Sequence, residues 1–494
     1  MNSTSPSRPY RTLSTLLDSN DVPNELEART IRELLSSALA QKARLEADIL
    51  VMGGASTPSR QNAVAQWEAL NPKISKYEAA LSPLRQLHIP TEILTLIFTL
   101  MIAVPRDESC DINEDLALWK IGQVCSRWRA ILWSRPSLWT VIDLDLSRWQ
   151  DASCARLETQ LRCSEQLPLR VTLSWGTKED SQLVNMLVEQ CTRWEKLSIN
   201  LSEEADDWLL HQVRGRLPLL RELEVSTCPI SSGDEYSYPE QEDYWCDYFE
   251  VAPKLQRADV SWDQAPLTIK LPFQQLLQYR GADLQDLKSA YNLTDCALER
   301  VALAPPPPAI SLPSLRRLSL SNSTYLDFIE APVLQELYCI GPTLPITSFL
   351  QRHPNTLRKL FIRDYGSVRL APDFGPLLQA ASTLAHLGVR FIDRDHARRL
   401  YSLLTLPPAA VGMLASITIC AQRLKSGVET DFDGLFMDML ESRRRAGILR
   451  SVNFSGYLTD KYASRMEGLR GNGVKITLYR KTDNLLYDLT PAHL

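Results

Sequence analysis

The residues best suited to chemistry in this chain are six histidines and ten cysteines, and neither set has the spacing of a catalytic or metal-binding motif. The sequence contains no CxxC, HxxxH or HExxH, and no GxxxxGK[ST], GxGxxG or GxSxG. The run DRDH at 393–396 could be imagined as a metal cluster, but a solvated turn explains it better. We therefore expect no cofactor, no resident metal and no enzymatic activity.

Composition narrows the partners and the compartment. The cysteines are scattered over 494 residues, and we expect no signal peptide before them, which favours reduced thiols and a cytoplasmic and/or nuclear location. A net charge of −5 does not favour binding to nucleic acid. Because no run of about 18 apolar residues occurs, we expect no membrane-spanning helix.

From about residue 165 onward one short pattern recurs, in which apolar residues stand at the first, fourth and sixth positions. It reads WEKLSI at 194, LRELEV at 220, LQRADV at 255, LERVAL at 298, LRRLSL at 315, LQELYC at 334, LRKLFI at 357, LAHLGV at 384, LASITI at 414 and LRSVNF at 449, with a weaker copy, LLQYRG, at 276. The last three positions predict a strand with one buried face. One copy is too short to fold alone, so neighbours must stack.

This pattern resembles a leucine-rich-repeat array, of irregular repeat length, over residues 147–480. The resemblance implies an α/β solenoid in which the variable strand positions share one exposed face. Between about 300 and 390 that face becomes basic and partly aromatic, and we hypothesise that it binds an acidic or phosphorylated segment of a protein substrate. The residues are Arg300, Arg317, Lys359, Phe361, Arg363 and Arg390. The alternative is that they are ordinary solvated strand residues.

Two further segments have a distinctive composition. Residues 24–82 have apolar positions at helical spacing, interrupted by GGASTP at 53–58, and predict a helical hairpin or a coiled-coil-like pair. The pair could fold on itself or support self-association. Residues 234–250, rich in acidic and aromatic side chains, could dock a basic partner, cover the basic face or form a surface insertion. We predict a disordered tail at 1–23, where a transit peptide is the weaker alternative, and a C-terminal tail at 481–494.

The stretch 84–146 predicts three small helical pieces rich in tryptophan. In HIPTEILTLIF, Pro90 stands near a helix start, Thr91 is a candidate cap, and Ile93, Leu94, Ile97, Phe98 and Met101 are predicted to form one apolar face. A polar insert at 105–115 precedes a second helix at 116–133, and RPSLWTVIDLDL leads into a strand. So small a unit should leave apolar surface for a partner.

The motifs IPTEIL, VCSRW and LW, in this order, make the stretch similar to the F-box. The resemblance implies binding to a Skp-type linker protein and, through it, to a cullin scaffold. Carried over to this chain, one set of residues would lie at or beneath the linker contact: Ile89, Pro90, Glu92, Ile93, Leu94, Ile97 and Phe98. A second set would hold the unit and complete the surface: Val124, Cys125, Trp128, Leu138 and Trp139. Ile89 stands where the family usually has leucine, and the stretch between the first two helices is longer than usual.

Together the two resemblances imply a substrate-recruiting subunit of an SCF-type ubiquitin ligase, with the ligase chemistry in other subunits. A non-catalytic repeat scaffold that acts without any ligase is the alternative.

Overall fold

The structure is a computed structural model, and its described part consists of the following ranges. They are 12–18, 22–53, 57–82, 89–103, 117–146, 153–174, 181–201, 211–227, 245–261, 268–282, 286–299, 309–354, 356–363, 373–391, 394–405, 413–420, 432–455 and 462–479. The chain divides into two compact units, one of residues 1–143 with 154–169 and the other of residues 144–153 with 170–494. Arg300, the insert at 105–115 and the tail at 481–494 lie outside the described residues.

The first unit is helical. Its helices are α1 (Leu13–Leu17), α2 (Glu25–Val51), α3 (Pro58–Ala80), α4 (Thr91–Ala103), α5 (Ala117–Val124), α6 (Ser126–Trp133) and α7 (Ser153–Cys163). Helix α2 begins with a capping box, in which Asn24 and Glu27 each accept from the other's backbone N–H. Helices α2 and α3 pack on each other through Ala38, Leu70 and Ile74. Helix α3 continues through Pro72 without ending there.

Part of the predicted N-terminal tail is ordered, so the prediction of disorder over 1–23 is wrong for residues 12–18. The Thr12 side chain caps α1 by accepting from the Thr15 backbone N–H. Leu16 is fully buried against Ile31 and Ala80 of the hairpin. The apolar residues of TLSTLL recur at helical spacing and thus give even this short segment a face to bury.

The second unit is dominated by one long sheet, so the chain combines helices with a mainly parallel strand array. Its strands, in spatial order, are β1 (Val141–Asp145), β2 (Leu169–Ser174), β3 (Trp194–Leu201), β4 (Glu222–Thr227), β6 (Arg257–Ser261), β8 (Gln278–Gly281), β9 (Asp295–Leu298), β11 (Arg317–Leu320), β13 (Glu336–Ile340), β14 (Lys359–Arg363), β15 (His386–Arg390), β16 (Ser416–Cys420), β17 (Ser451–Ser455) and β18 (Lys475–Tyr479). From β3 to β18, each strand pairs in parallel with the next strand of the sheet.

A shared backbone hydrogen-bond ladder joins successive repeats at the strand starts. The Arg316 carbonyl accepts from the N–H groups of Gln335 and Glu336, at 2.9 and 3.0 Å. The Gln335 carbonyl in turn accepts from Arg358 and Lys359, at 2.8 and 2.9 Å. The same arrangement continues to β17, so each repeat is positioned by main-chain atoms of the one before it.

The connections between strands change along the array. Helices follow several strands in the second half: α9 (Thr343–Arg352), α10 (Phe374–Ala380), α11 (Arg394–Leu404), α12 (Phe432–Arg445) and α13 (Ala463–Gly471), while α8 (Ser181–Val188) lies near the start. In the middle, the described connections include 3₁₀ turns and two small parallel ladders. These pair β5 (Trp245–Cys246) with β7 (Thr268–Ile269), and β10 (Ile310–Ser311) with β12 (Ile329–Glu330).

Ten of the eleven predicted strands coincide with observed ones, but the strand expected in LERVAL at 298 is misplaced. The chain instead uses LTDCAL, so that β9 ends at Leu298, where the predicted copy begins. Arg317 is therefore paired in register with Asp295, and the position predicted for Arg300 belongs to this aspartate. In the long sheet, β2 and β18 are additional to the strands predicted, and the short strands β5, β7, β10 and β12 were not predicted either.

The acidic-aromatic segment is also partly incorporated into the array. Residues 228–244 lie outside the described part, but Tyr248 and Phe249 are buried. The Asp247 carboxylate pairs with Arg214 at 2.5 Å. The end of this segment is thus core rather than a surface insertion.

Candidate partner-binding surfaces

Helix α4 carries apolar residues on two sides, only one of which is packed. Leu94 and Phe98 are buried in a core with Leu118, Ile121, Ile131, Leu132, Leu138 and Trp139. Five other apolar residues are between 37% and 59% exposed. They form the outer face of α4: Ile93, Leu96, Ile97, Leu100 and Met101. Their spacing of i, i+3, i+4, i+7 and i+8 places them on one stripe of the helix.

The predicted single face of α4 is therefore divided between core and surface. Leu94 and Phe98, both predicted to lie at or beneath the linker contact, are 2% and 0% exposed and belong to the core. Leu96 and Leu100 were missed. They could have been found by continuing the helical period outward from Ile93 and Ile97, since TEILTLIFTLMIA is apolar on both sides.

The start of α4 is fixed by contacts to its backbone. The Pro90 carbonyl accepts from the Leu94 N–H at 3.1 Å, so Pro90 directly precedes the first turn and Thr91 lies inside the helix rather than capping it. The Arg127 guanidinium donates to the Ile89 carbonyl, which ties α6 to the segment before α4. Ile89 is half-buried on the core, whereas Pro90 and Glu92 are exposed.

The predicted helix over 116–133 is broken into α5 and α6 at Cys125. The Cys125 backbone is extended, and its Sγ accepts from the Trp128 N–H at 3.4 Å. Val124, directly before this break, is exposed. Trp128 packs on Phe98 with 4.9 Å between ring centroids, and the Trp139 indole N–H donates to the Leu132 carbonyl at 2.9 Å. Trp128, Leu138 and Trp139 thus hold the unit together.

The second surface is the exposed face of the strands, where charged residues form ion pairs across neighbouring strands. Lys196 on β3 lies 2.5 Å from Glu224 on β4, and Arg280 on β8 lies 2.8 Å from Glu299 after β9. The predicted basic residues are partly neutralised in the same way. Arg317 pairs with Asp295, and Lys359 lies 2.7 Å from Glu336.

The Arg317 pair is the more enclosed of these two. Asp295 is nearly buried and also accepts from the Thr294 hydroxyl at 2.8 Å. The hydrogen bond to Asp295 raises the pKa of Arg317. Because its charge is already matched, Arg317 is less suited to capturing an external anion than the sequence suggested.

Aromatic rings form a stack on β13, β14 and β15. The Phe361 ring lies 4.6 Å from the Tyr338 ring and 4.8 Å from the His386 ring. His386 shares a hydrogen bond between its Nε2 and the Thr418 hydroxyl at 3.0 Å. Burial, with a smaller effect of the Lys359 charge, lowers the pKa of His386 to about 4. Phe361 is buried in this stack, although its strand position predicted exposure.

Arg363 and Arg390 lie at the ends of β14 and β15, directly opposite each other in the strand register. Both side chains are partly exposed. Within the described part of the chain, neither has an ion-pair or side-chain hydrogen-bond partner. Of the six predicted substrate residues, these two are the ones that the structure places together as free cations.

Other candidates for chemistry find little support. In the described ranges, no group of three or more His, Cys, Asp or Glu residues is placed to hold a metal. The seven cysteines whose side chains the structure describes are free thiols. Burial raises the pKa of Cys296 and Cys339, which disfavours thiolate chemistry there. Asp395 and His396 lie at the start of helix α11, so this part of DRDH is helical and not the solvated turn that was expected. His396 is buried. None of the described helices is long and apolar enough to cross a membrane.

Comparison with known proteins finds matches among solved structures but none among family models or curated proteins. Among solved structures, 16 chains match. One is from the crystal structure of the Rad7 and Elc1 complex in yeast, with a TM-score of 0.33, 14% identity, and coverage of 86% of this chain and 98% of that chain. At this TM-score the likeness carries no argument about the present chain.

Proposed function

We propose that this chain is a substrate-recruiting subunit of an SCF-type ubiquitin ligase, acting in the cytoplasm and/or nucleus. In this proposal residues 89–146 bind a Skp-type linker, and through it a cullin scaffold. The strand array holds the substrate, and the chain itself has no catalytic role.

The observation that carries the proposal is the outer face of α4. Five exposed apolar side chains in one stripe are costly in water and are typical of a helix that docks on another protein. They occur within the F-box-like motifs, and the exposed Val124 adds a further apolar residue in the same small unit. Beneath the stripe, Leu94 and Phe98 anchor α4 to the core, so the surface is carried on a fixed helix.

The test is co-purification of the full chain with a Skp-type linker protein. Leu94→Asp would place a charge in the core and unfold the unit, so the informative variant is Ile97→Asp/Leu100→Asp on the outer face. Wild type is expected to retain the linker, and the variant to bind at least about a hundredfold more weakly. Leu26→Asp, at an exposed position of α2, is the matched control and should retain it.

Circular dichroism on all three proteins verifies that each is folded. If folded wild type does not capture the linker, the adaptor function is wrong. The favoured function is then the alternative, a repeat scaffold that binds its partner without a ligase. Equal capture by wild type and the double variant would show that the outer face of α4 is not the linker contact.

A further inference from the structure

The free arginine pair at the ends of β14 and β15 is electrostatically unusual on this face. Four other lysines and arginines of the strand positions have carboxylate partners: Lys196, Arg280, Arg317 and Lys359. Arg363 and Arg390 instead face each other on strands that are about 4.8 Å apart. Like charges directly opposite destabilise a sheet, and a bound anion would remove that cost.

The neighbouring residues of the same row supply no compensating charge. Ile340 precedes Arg363 in the row and Cys420 follows Arg390, as the strand registers show. Two residues earlier on the same strands, the Tyr338 and Phe361 rings form the stack described above. Glu336, two residues before Tyr338 on the same strand, is engaged by Lys359 and by the Tyr338 hydroxyl at 3.4 Å.

The charge of the pair indicates what kind of anion fits. A single carboxylate would neutralise one guanidinium and leave the other unmatched. A phosphate monoester carries a charge of about −1.5 to −2 at pH 7 and three acceptor oxygens, so it can accept from two guanidinium groups together. Arginine is the cation suited to such bidentate contacts.

We propose that Arg363 and Arg390 together bind a phosphorylated side chain of the protein substrate. The inference rests on the proposed substrate-recruiting function and gives it a substrate class. It narrows the predicted basic surface from six residues to two, because Arg317 and Lys359 are internally paired and Phe361 is buried.

The test measures retention of peptide pools on the immobilised full-length chain. Three pools share degenerate flanks and differ only in a fixed central residue, which is phosphothreonine, threonine or glutamate. Wild type should retain the phosphothreonine pool at least about tenfold better than the threonine pool. Arg363→Gln/Arg390→Gln should abolish that difference.

A matched control removes the same charge elsewhere. Arg358 and Arg450 are exposed, and Arg358 lies roughly 16 Å along the strand from Arg363. The variant Arg358→Gln/Arg450→Gln should retain the phosphothreonine pool as wild type does. Thermal unfolding of both variants verifies the fold.

The remaining outcomes overturn the inference. These are absence of preference for phosphothreonine in wild type, equal retention of the glutamate pool, and preference that survives in Arg363→Gln/Arg390→Gln. The assay contains no linker protein. Ile97→Asp/Leu100→Asp should therefore retain the phosphothreonine pool even though it loses the linker, and the two proposals fail separately.

Discussion

The Phe361 ring lies parallel to the Tyr338 ring, with 2° between the ring planes, and it covers the place where Gly388 lacks a side chain. A Cβ on Gly388 would lie 2.1 Å from Phe361 Cδ1, closer than atoms can approach. The glycine thus allows the ring to lie flat on the sheet. This explains why Phe361 is buried, although Lys359 and Arg363, two positions away on the same face of β14, reach solvent.

Gly388→Ala should displace Phe361 from the stack and destabilise the array by about 1–3 kcal/mol. The measurement is the urea midpoint of unfolding, with near-ultraviolet circular dichroism to report the aromatic environment. Gly468→Ala in α13 is the control, since nothing lies within 4 Å of its Cβ and alanine favours helix. Equal effects of the two substitutions would contradict this account of the stack.

The ion pair of Arg317 with Asp295 should contribute more to stability than the pair of Lys359 with Glu336. The Asp295 side chain is 5% exposed, whereas that of Glu336 is 22% exposed. Removing the cation therefore leaves a more deeply buried carboxylate unpaired at Asp295 than at Glu336. We expect Arg317→Gln to cost about 1–3 kcal/mol and Lys359→Gln less than about 1 kcal/mol. Chemical unfolding at pH 7 in the same buffer compares them, and the reverse order would show that burial does not decide the difference.

The lowered pKa of His386 predicts a loss of stability on acidification. Its pKa falls from 6.5 to about 4 on folding, so the unfolded chain binds the proton more readily between these values. The contribution is fully present above pH 6.5 and is lost as pH falls towards 4, by an amount of order 2 kcal/mol.

Unfolding free energies of wild type and His386→Gln at pH 7 and pH 4.5 measure this effect. Wild type should lose more stability than the variant over this interval. An NMR titration of the folded wild-type chain in which His386 titrates near 6.5 would contradict the prediction.

The contact between α1 and the hairpin predicts that Leu16 stabilises the N-terminal helices. Leu16→Ala should cost about 2–4 kcal/mol of hairpin stability, because the side chain is fully buried against Ile31 and Ala80. It should also speed proteolysis within residues 12–18. Leu26→Ala, at an exposed position, is the control and should change neither quantity.

The strand positions were largely predictable because each copy of the pattern carries its own burial signal. LRKLFI and LAHLGV, for example, coincide with β14 and β15. The error at β9 has a physical cause. Both LTDCAL and LERVAL place apolar residues at the required positions, and only pairing with β8 and β11 decides between them.

The two strands of the long sheet that were missed lack the first apolar residue of the pattern. In β2, Pro168 stands three residues before Val171, and in β18, Gly473 stands three residues before Ile476. These strands show only the period-2 alternation, which is too short there to distinguish from chance. Pairing to a neighbour supplies what the local sequence lacks.

For the candidate sites, the sequence identified the residues but not their partners. The alternation rule placed Arg317 and Lys359 on the exposed face, yet their neutralisation depends on which carboxylate the next strand presents. Likewise, the helical period identified α4 as apolar, but the packing of α5 and α6 decides that Leu94 faces the core and Ile97 faces solvent.

The hydrogen-bond ladder at the strand starts also bears on how such a chain can change through evolution. Copies of the pattern start between 17 and 35 residues apart, yet the shared carbonyls keep their strands in one register. Insertions and deletions in the connections therefore leave the spacing of the strand face intact. Because main-chain atoms maintain that spacing, mutations can alter the face one residue at a time and acquire new recognition without rebuilding the array.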